Sequence, residues 1–424
     1  MTTHPLMPAY LLLGGRAVER AFDQAGEVIT TWLPGVGEVA LLRDPVLIRQ
    51  VMRSSGEVID AASANRVQEP VIGRRGLAVL PDADHRRLRS VMQPALRGPA
   101  LQNLRESTAR IARQTVLACP AATPFELLPR LRVAMLRAIL EVALGIDDPH
   151  RLRQWSTPLR RLLNRADSYE ITVRYALRHV GALEAWPSYR RLNAACDRLI
   201  HAEVDRRRRR GEDRDDVLGV LMRACDERGA RLTRQALRDE LMSVIAGART
   251  TTATGLAWVF ERLARHPEVL RRLTAEADAA DGESYAAAVV YEALRVRPPV
   301  TFIGRRTLRP YRLGPRTLRP GTVIAVHLMA LHHNPGLYPD PAAFRPERWL
   351  GKRPSGYGWM PFGGGTHTCI GDHLAMMQIR TFLHVFARHA ELRTADARDE
   401  PVRWRAISNT PGRGCRLILW PRDQ

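Results

Sequence analysis

The chain of 424 residues has almost no lysine, because Lys352 is the single lysine among its 65 basic residues. The other basic residues are arginines, and they are scattered along the chain rather than gathered in one segment. A formal net charge of +21 could indicate a protein that neutralises nucleic-acid phosphates. The scattered pattern favours a solvated, arginine-rich surface instead, so we expect no nucleic-acid partner, although such a surface can attract an acidic protein.

The sequence also has few cysteines, and none of them is paired by spacing. They are Cys119, Cys196, Cys225, Cys369 and Cys415. This spacing fits neither a disulfide scaffold nor a zinc ribbon, so we expect a reducing, cytoplasmic location. Apolar runs are short as well, and the run at 9–13 is far below the roughly 20 residues that cross a bilayer. The sequence therefore predicts neither a membrane anchor nor a signal peptide.

No linker-like change of composition divides the chain. We therefore predict that residues 1–424 form one domain, mainly α with small β-sheets (α+β), with a core large enough to enclose a bulky cofactor. The mixture of Ser, Asn, Pro and Gly at 58–76 predicts a flexible loop. One helix is expected to begin near Asp82 and another to run from about Thr233 to Arg265. The last long helix is expected from about 371 to 389.

The strongest chemical signal is one glycine-rich segment that contains a cysteine. Its sequence is Phe362-Gly363-Gly364-Gly365-Thr366-His367-Thr368-Cys369-Ile370-Gly371. Successive glycines let the backbone pass close to a flat ligand, and Cys369 stands at the start of the last predicted helix, where the helix dipole favours an iron-binding thiolate. Two alternatives are a tight turn with a buried thiol and a zinc site with His367 and His373, which lacks a fourth neighbouring ligand.

This segment resembles the cysteine-loop signature of the cytochrome P450 family, and two further motifs agree with it. Glu292-Ala293-Leu294-Arg295 resembles the family's Glu-x-x-Arg helix, with Glu292 and Arg295 on one helix face by spacing. Pro346-Glu347-Arg348-Trp349 resembles the meander motif, whose arginine completes a buried Glu-Arg-Arg set. The resemblance implies the P450-like fold, with a long central helix over the haem, and a haem-thiolate monooxygenase that takes electrons from a separate ferredoxin and its reductase.

The resemblance also implies which residues bind the cofactor, haem b. They are Cys369 as the iron ligand, with His85, Arg89, Arg305, His367, Phe362 and Gly363 as further contacts. His85 and Arg89 share a helix face at i,i+4 spacing, and with Arg305 and His367 they would donate hydrogen bonds to the haem propionates. His367 stands where arginine is commonest in the family.

The long predicted helix carries Ala246-Gly247-Ala248-Arg249-Thr250-Thr251, which resembles the family's oxygen-side motif. Small residues would let the helix pass near the haem, and Thr250 is expected to hydrogen-bond dioxygen or water, unless it only bonds its own helix backbone. The family usually has Asp or Glu where Arg249 stands. We treat Arg249 and Thr250 as catalytic candidates, and expect the charge of Arg249 to meet an acidic residue, solvent or a substrate carboxylate.

The expected substrate contacts are mostly apolar. They are Ala246, Phe302, Ile303 and Ile407. They favour a mainly apolar small molecule, with a terpene or polyketide of bacterial secondary metabolism as plausible classes. The alternative is a peroxide-using or non-oxygenating haem-thiolate enzyme whose substrate places an acidic group near Arg249. The sequence identifies neither the substrate nor the oligomeric state.

Overall fold

The structure is a computed structural model, and it describes residues 15–33, 35–178, 181–182, 186–225, 229, 231–279 and 282–422. The apolar run at 9–13 lies outside the described residues. Helices dominate the fold, and the strands form small sheets. The predicted class, mainly helical with small β-sheets, is therefore confirmed. Within the described ranges, every helix is too short or too polar to cross a bilayer.

The helices before residue 180 are α1 (Gly15–Ala25), α2 (Pro45–Met52), α3 (Ala62–Asn65), α4 (Glu69–Ile72), α5 (Asp82–Met92), α6 (Pro99–Leu117), α7 (Leu128–Leu144), α8 (Pro149–Ala166) and α9 (Tyr169–Ala176). The later helices are α10 (Pro187–Arg210), α11 (Val217–Arg223), α12 (Arg234–Arg265), α13 (Pro267–Ala279), α14 (Ser284–Val296), α15 (Leu328–His332) and α16 (Asp372–His389).

The strands are β1 (Val28–Leu33), β2 (Gly37–Leu42), β3 (Ile59–Asp60), β4 (Phe125–Glu126), β5 (Phe302–Thr307), β6 (Tyr311–Leu313), β7 (Arg316–Leu318), β8 (Val323–His327), β9 (Ala390–Thr394), β10 (Val402–Arg405), β11 (Ser408–Pro411) and β12 (Arg416–Pro421). The largest sheet has the order β1-β2-β8-β5-β3, in which β2 and β8 are parallel and the other pairs antiparallel.

Helix α12 is the long helix that the sequence predicts. The Thr233 hydroxyl accepts a hydrogen bond from the Ala236 N–H at 3.2 Å and so caps its first turn. Its 32 residues extend about 48 Å at the standard rise. Most of its residues are buried, and they belong to two core clusters, one around 237–245 and the other around 253–264. The helix therefore connects the two halves of the core.

The prediction of a flexible loop at 58–76 was wrong. The segment contains β3, α3, a 3-10 turn at Arg66–Gln68 and α4. Carboxylate oxygens of Asp60 accept two backbone N–H groups at the start of α3, at 2.9 and 2.8 Å. Asp239 on α12 accepts the backbone N–H of Arg75 at 3.1 Å. Hydrogen bonds from a distant helix therefore order a segment that has no periodicity of its own.

Candidate active site

A buried ion network holds the segment that precedes the cysteine loop. Arg295 Nη2 lies 2.8 Å from Glu292 Oε1, and both side chains are fully buried. Arg348 Nε lies 3.3 Å from the same oxygen, and Trp349 Nε1 donates to Glu292 Oε2 at 2.9 Å. Buried charges are tolerated only when they are paired and hydrogen-bonded, which this network achieves. The Glu-Arg-Arg set implied by the sequence motifs is present.

The cysteine loop folds back on itself ahead of α16. The Cys369 N–H donates to the Phe362 carbonyl at 2.8 Å. Gly363 and Gly365 have φ angles of 79° and 71°, in the left-handed region that favours glycine. A Cβ atom at Gly365 would also lie 2.7 Å from the Met52 carbonyl oxygen. Two glycines of the triplet are therefore required by the backbone, whatever the loop binds.

The residue Cys369 is exposed on one side. Protein atoms on the other sides of its sulfur reduce the solvation of a thiolate. This desolvation raises the pKa of Cys369, while the Gly371 N–H and the positive charges of Arg89 and Arg97 act in the opposite direction. Helix α16 begins only at Asp372. The helix terminus therefore does not by itself produce the expected thiolate, and deprotonation would accompany metal binding.

Four basic side chains from distant parts of the chain meet beside this loop. The rings of His85 and His367 stack with their centroids 3.8 Å apart. Arg89 donates to the Thr368 carbonyl, and Arg305 Nη2 donates to the Gly364 carbonyl at 2.9 Å. The structure thus brings together all four residues that the sequence marks as candidates for propionate binding.

One nitrogen of this basic cluster has no partner among the described residues, and backbone carbonyls accept the hydrogen bonds of its arginines. His85 Nδ1 is buried and has no hydrogen-bond partner among the described residues. Desolvation, aided by the charges of His367 and Arg89, lowers the pKa of His85 to about 3. Desolvation also lowers the pKa of Arg305 to about 10, and its hydrogen bonds go to backbone carbonyls. A group with two carboxylates would supply a partner for His85 Nδ1 and negative charge for the arginines, so these residues fit haem.

The structure does not support the alternative of a zinc site with His367 and His373. Over the described part of the chain, no group of three or more His, Cys, Asp or Glu side chains could hold a metal ion. His367 instead faces Asp82, with 2.9 Å between His367 Nε2 and Asp82 Oδ1.

The oxygen-side motif presents two different faces of α12. Gly247 is exposed, and a Cβ atom placed there would meet no atom within 4 Å. Thr251 lies one turn later and donates to the Gly247 carbonyl at 2.5 Å. Ala246 is half-buried against the core cluster around 237–245. Open space therefore adjoins the small residues, as expected for a helix that passes a flat ligand.

Arg249 and Thr250 are buried and share one carboxylate. Arg249 Nη1 lies 3.2 Å from Asp167 Oδ2, and its Nη2 donates to Asn164 Oδ1 at 2.5 Å. Thr250 Oγ1 lies 3.0 and 3.2 Å from the two oxygens of Asp167. An acidic residue just after α8 therefore meets the charge of Arg249. The sequence analysis missed Asp167, because no motif includes it. The charge of Arg249 indicated that a partner was needed but did not identify the residue.

The predicted substrate contacts do not lie on one surface. Phe302 packs into the cluster formed by α1 and the β1–β2 strands, edge-on to His327 with the ring centroids 5.0 Å apart. Side chains alternate along a strand, so Ile303 shares the sheet face of Arg305 and Phe302 points the other way. Phe302 is partly buried against this cluster, on the sheet face opposite Ile303, and its role as a substrate contact stays a prediction. Ile407, between β10 and β11, is 38% exposed and remains a candidate.

Comparison with known proteins gives concordant results. A family model described as Cytochrome P450 matches residues 3–413. The chain is 37% identical over 419 residues to cytochrome P450 137 of Mycobacterium tuberculosis, which covers 97% of this chain and 87% of the relative. It is 31% identical over 422 residues to cytochrome P450 138 of Mycobacterium bovis, which covers 97% of this chain and 93% of the relative.

Solved structures show the same fold. Retinoic acid bound cyanobacterial CYP120A1 superposes with a TM-score of 0.82 at 19% identity, covering 97% of this chain and 96% of the other. The cytochrome P450DA heme domain gives a TM-score of 0.81 at 20% identity, covering 97% and 94%.

Proposed function

Because the chain belongs to the cytochrome P450 family and is therefore a haem-dependent monooxygenase, we propose that it binds haem b through Cys369 and oxidises a mainly apolar small molecule. Hydroxylation is the simplest such reaction. Terpenes and polyketides of bacterial secondary metabolism are the substrate classes that we favour. Ala246, Ile303 and Ile407 are the proposed apolar contacts.

The observation that carries this proposal is that an exposed cysteine lies beside a cluster of four basic side chains in which His85 Nδ1 has no partner among the described residues. Cys369 would ligate the iron, and His85, Arg89, Arg305 and His367 would hold the two propionates, with Phe362 and Gly363 shaping the loop. When bound, the haem supplies oxygen activation, with the thiolate favouring O–O bond cleavage. The protein orients the substrate and controls protons through Thr250 and its neighbours.

Electrons are proposed to come from a separate ferredoxin and its reductase, because the sequence has no recognisable flavin or iron–sulfur motif. All five cysteines are free, which supports a reducing, cytoplasmic location. The weaker candidate is a peroxide-using enzyme with an acidic substrate at Arg249. An acidic group of the substrate at this place is disfavoured, because both terminal nitrogens of Arg249 already bind Asp167 and Asn164.

The test is the substitution Cys369→Ser. A neutral hydroxyl is a poor iron ligand compared with a thiolate, so the thiolate-specific Soret band of the reduced carbon monoxide complex should disappear. Cys225→Ser is the matched control, because Cys225 is also accessible and should leave the spectrum unchanged. An unaltered carbon monoxide spectrum in Cys369→Ser would overturn the proposed ligand.

A further inference from the structure

We propose that Asp167 is a positioning residue, whose protonation state decides whether the Thr250 hydroxyl donates its proton to Asp167 or keeps it for another acceptor. This inference rests on the proposed function, since it concerns how the same site handles protons. Neither the oxygen-side motif nor any other sequence motif includes Asp167.

The geometry places one carboxylate among three groups from two helices. Thr250 Oγ1 is 3.0 Å from Asp167 Oδ2, and Arg249 Nη1 is 3.2 Å from the same oxygen. Arg132 Nη2 on α7 lies 4.0 Å from it. The side chain of Asp167 is only 17% exposed. Two arginines therefore hold a single, largely buried carboxyl directly against the Thr250 hydroxyl.

The position of Asp167 is unfavourable for a carboxylate in two respects. Asp167 is the C-cap residue of α8, where the helix dipole disfavours negative charge. Its burial also removes the solvation of the ionised form. Arg249 and Arg132 offset both costs. The carboxyl therefore joins two arginines and the motif threonine in one buried group.

The effect of Asp167 on Thr250 follows from the number of protons that each group can donate. A threonine hydroxyl has one proton to donate and two lone pairs that accept. An ionised Asp167 only accepts, so Thr250 donates its proton to Asp167 and can only accept from any further group. A protonated Asp167 donates to Thr250 Oγ1, which leaves the hydroxyl proton of Thr250 for another acceptor. Protonation of Asp167 thus changes Thr250 from the donor to the acceptor of the hydrogen bond between them.

Asp167 is suited to change state. Burial raises the pKa of Asp167 above its usual range, while Arg249, Arg132, the Thr250 hydrogen bond and Arg405 of β10 pull in the opposite direction. Arg249 occupies the motif position before Thr250 on α12, and Asp167 approaches both side chains from the end of α8. The carboxyl and the arginine thus form one unit, linking α8 to α12.

The first experiment is a series of infrared difference spectra across the pH range in which the protein stays folded, recorded with and without haem. We expect a protonated-carboxyl band that is lost in Asp167→Asn, shifted in Thr250→Val and retained in Thr250→Ser. Glu203→Gln is the matched control, because Glu203 is a buried carboxylate paired with Arg206 and Arg207 on α10. It should leave this band unchanged. A titrating band that is unchanged in both Asp167→Asn and Thr250→Val would overturn the inference.

The second readout is the infrared stretch of carbon monoxide bound to the reduced holoenzyme, because that band responds to a nearby hydrogen-bond donor. In the wild type it should shift with pH, and in Asp167→Asn the shift should be lost. Peroxide released per electron pair should rise several-fold in Asp167→Asn and not in Glu203→Gln. A pH-dependent band that persists in Asp167→Asn would count against the switch. Failure of the proposed function is recognised separately, by a wild-type spectrum without thiolate ligation.

Discussion

His85 and Arg89 lie one turn apart on α5, and each contacts the cysteine loop through a different partner. His85 stacks on His367, and Arg89 donates to the Thr368 carbonyl. We expect the double substitution His85→Ala with Arg89→Ala to weaken haem retention. Two hydrogen bonds to charged groups contribute about 3 kcal/mol together, which is on the order of a hundred-fold in affinity. The measurement is the rate of haem transfer to a scavenging apoprotein.

Arg87 provides the control for that experiment. It lies on the same helix, but it donates to the Cys225 carbonyl rather than to the cysteine loop. Arg87→Ala should release haem at the wild-type rate. If the double variant also released haem at that rate, His85 and Arg89 would not hold the propionates.

Single residues were predictable where a contiguous motif fixes their spacing. Glu292 and Arg295 are an example, because an i,i+3 spacing places them on one helix face in any helix. Asp167 was not predictable, since 82 positions separate it from Arg249 and only tertiary packing joins them. Phe302 and Ile303 were both predicted to contact the substrate, although their apolar character does not tell which sheet face each side chain takes. Register supplies that information, and it depends on the pairing of β5 with β8.

At the scale of elements, α12 was predictable and the segment before α5 was not. A helix start signal at Thr233 and a long run without proline define α12 locally. The segment at 58–76 depends on contacts with α12 that are remote in sequence. Glu240 on α12 makes a similar contact just after this segment, because its Oε2 accepts the Leu77 N–H at 3.2 Å. The other carboxylate oxygen, Oε1, is buried without a partner among the described residues.

Glu240 therefore gives a prediction about pH. Burial raises the pKa of Glu240 to about 8, against about 4.3 in an unfolded chain. The native state then binds more protons than the unfolded state, so stability falls as pH rises from the unfolded pKa through the folded pKa. Near pH 7 the cost is on the order of 3 kcal/mol. Glu240→Gln keeps the acceptor for Leu77 and should raise Tm by a few degrees there.

The measurement is the thermal unfolding of wild type and Glu240→Gln across pH. The two curves should converge at about pH 4, where the unfolded carboxyl is itself largely protonated. Glu268→Gln serves as the control, because the Glu268 side chain is 60% exposed and its substitution should leave the pH profile unchanged. A constant offset between wild type and Glu240→Gln at every pH would show that folding does not shift the pKa of Glu240.

For the whole molecule, the dominant property is an excess of arginine. A net charge of +21 creates a positive potential that extends into solution over about a Debye length, roughly 10 Å at 0.1 M salt. Many arginines are engaged in ion pairs within the fold, such as Arg207 with Glu203 and Asp216. Those buried pairs are screened little by salt, whereas the surface potential is screened strongly. Added salt should therefore affect encounters with charged partners more than it affects the fold.

This difference leads to the last prediction, which concerns the proposed ferredoxin. Opposite charges steer two proteins together, and steering weakens as the ionic strength rises. The second-order rate of reduction of the holoenzyme by an acidic ferredoxin, followed in a stopped-flow instrument, should fall by about ten-fold or more between low and high salt. Binding of carbon monoxide to the reduced enzyme is the control, because that ligand is uncharged and its rate should stay constant. If the reduction rate were equally constant, the basic surface would have no part in recruiting the electron donor, and its arginines would serve only the fold and its solubility.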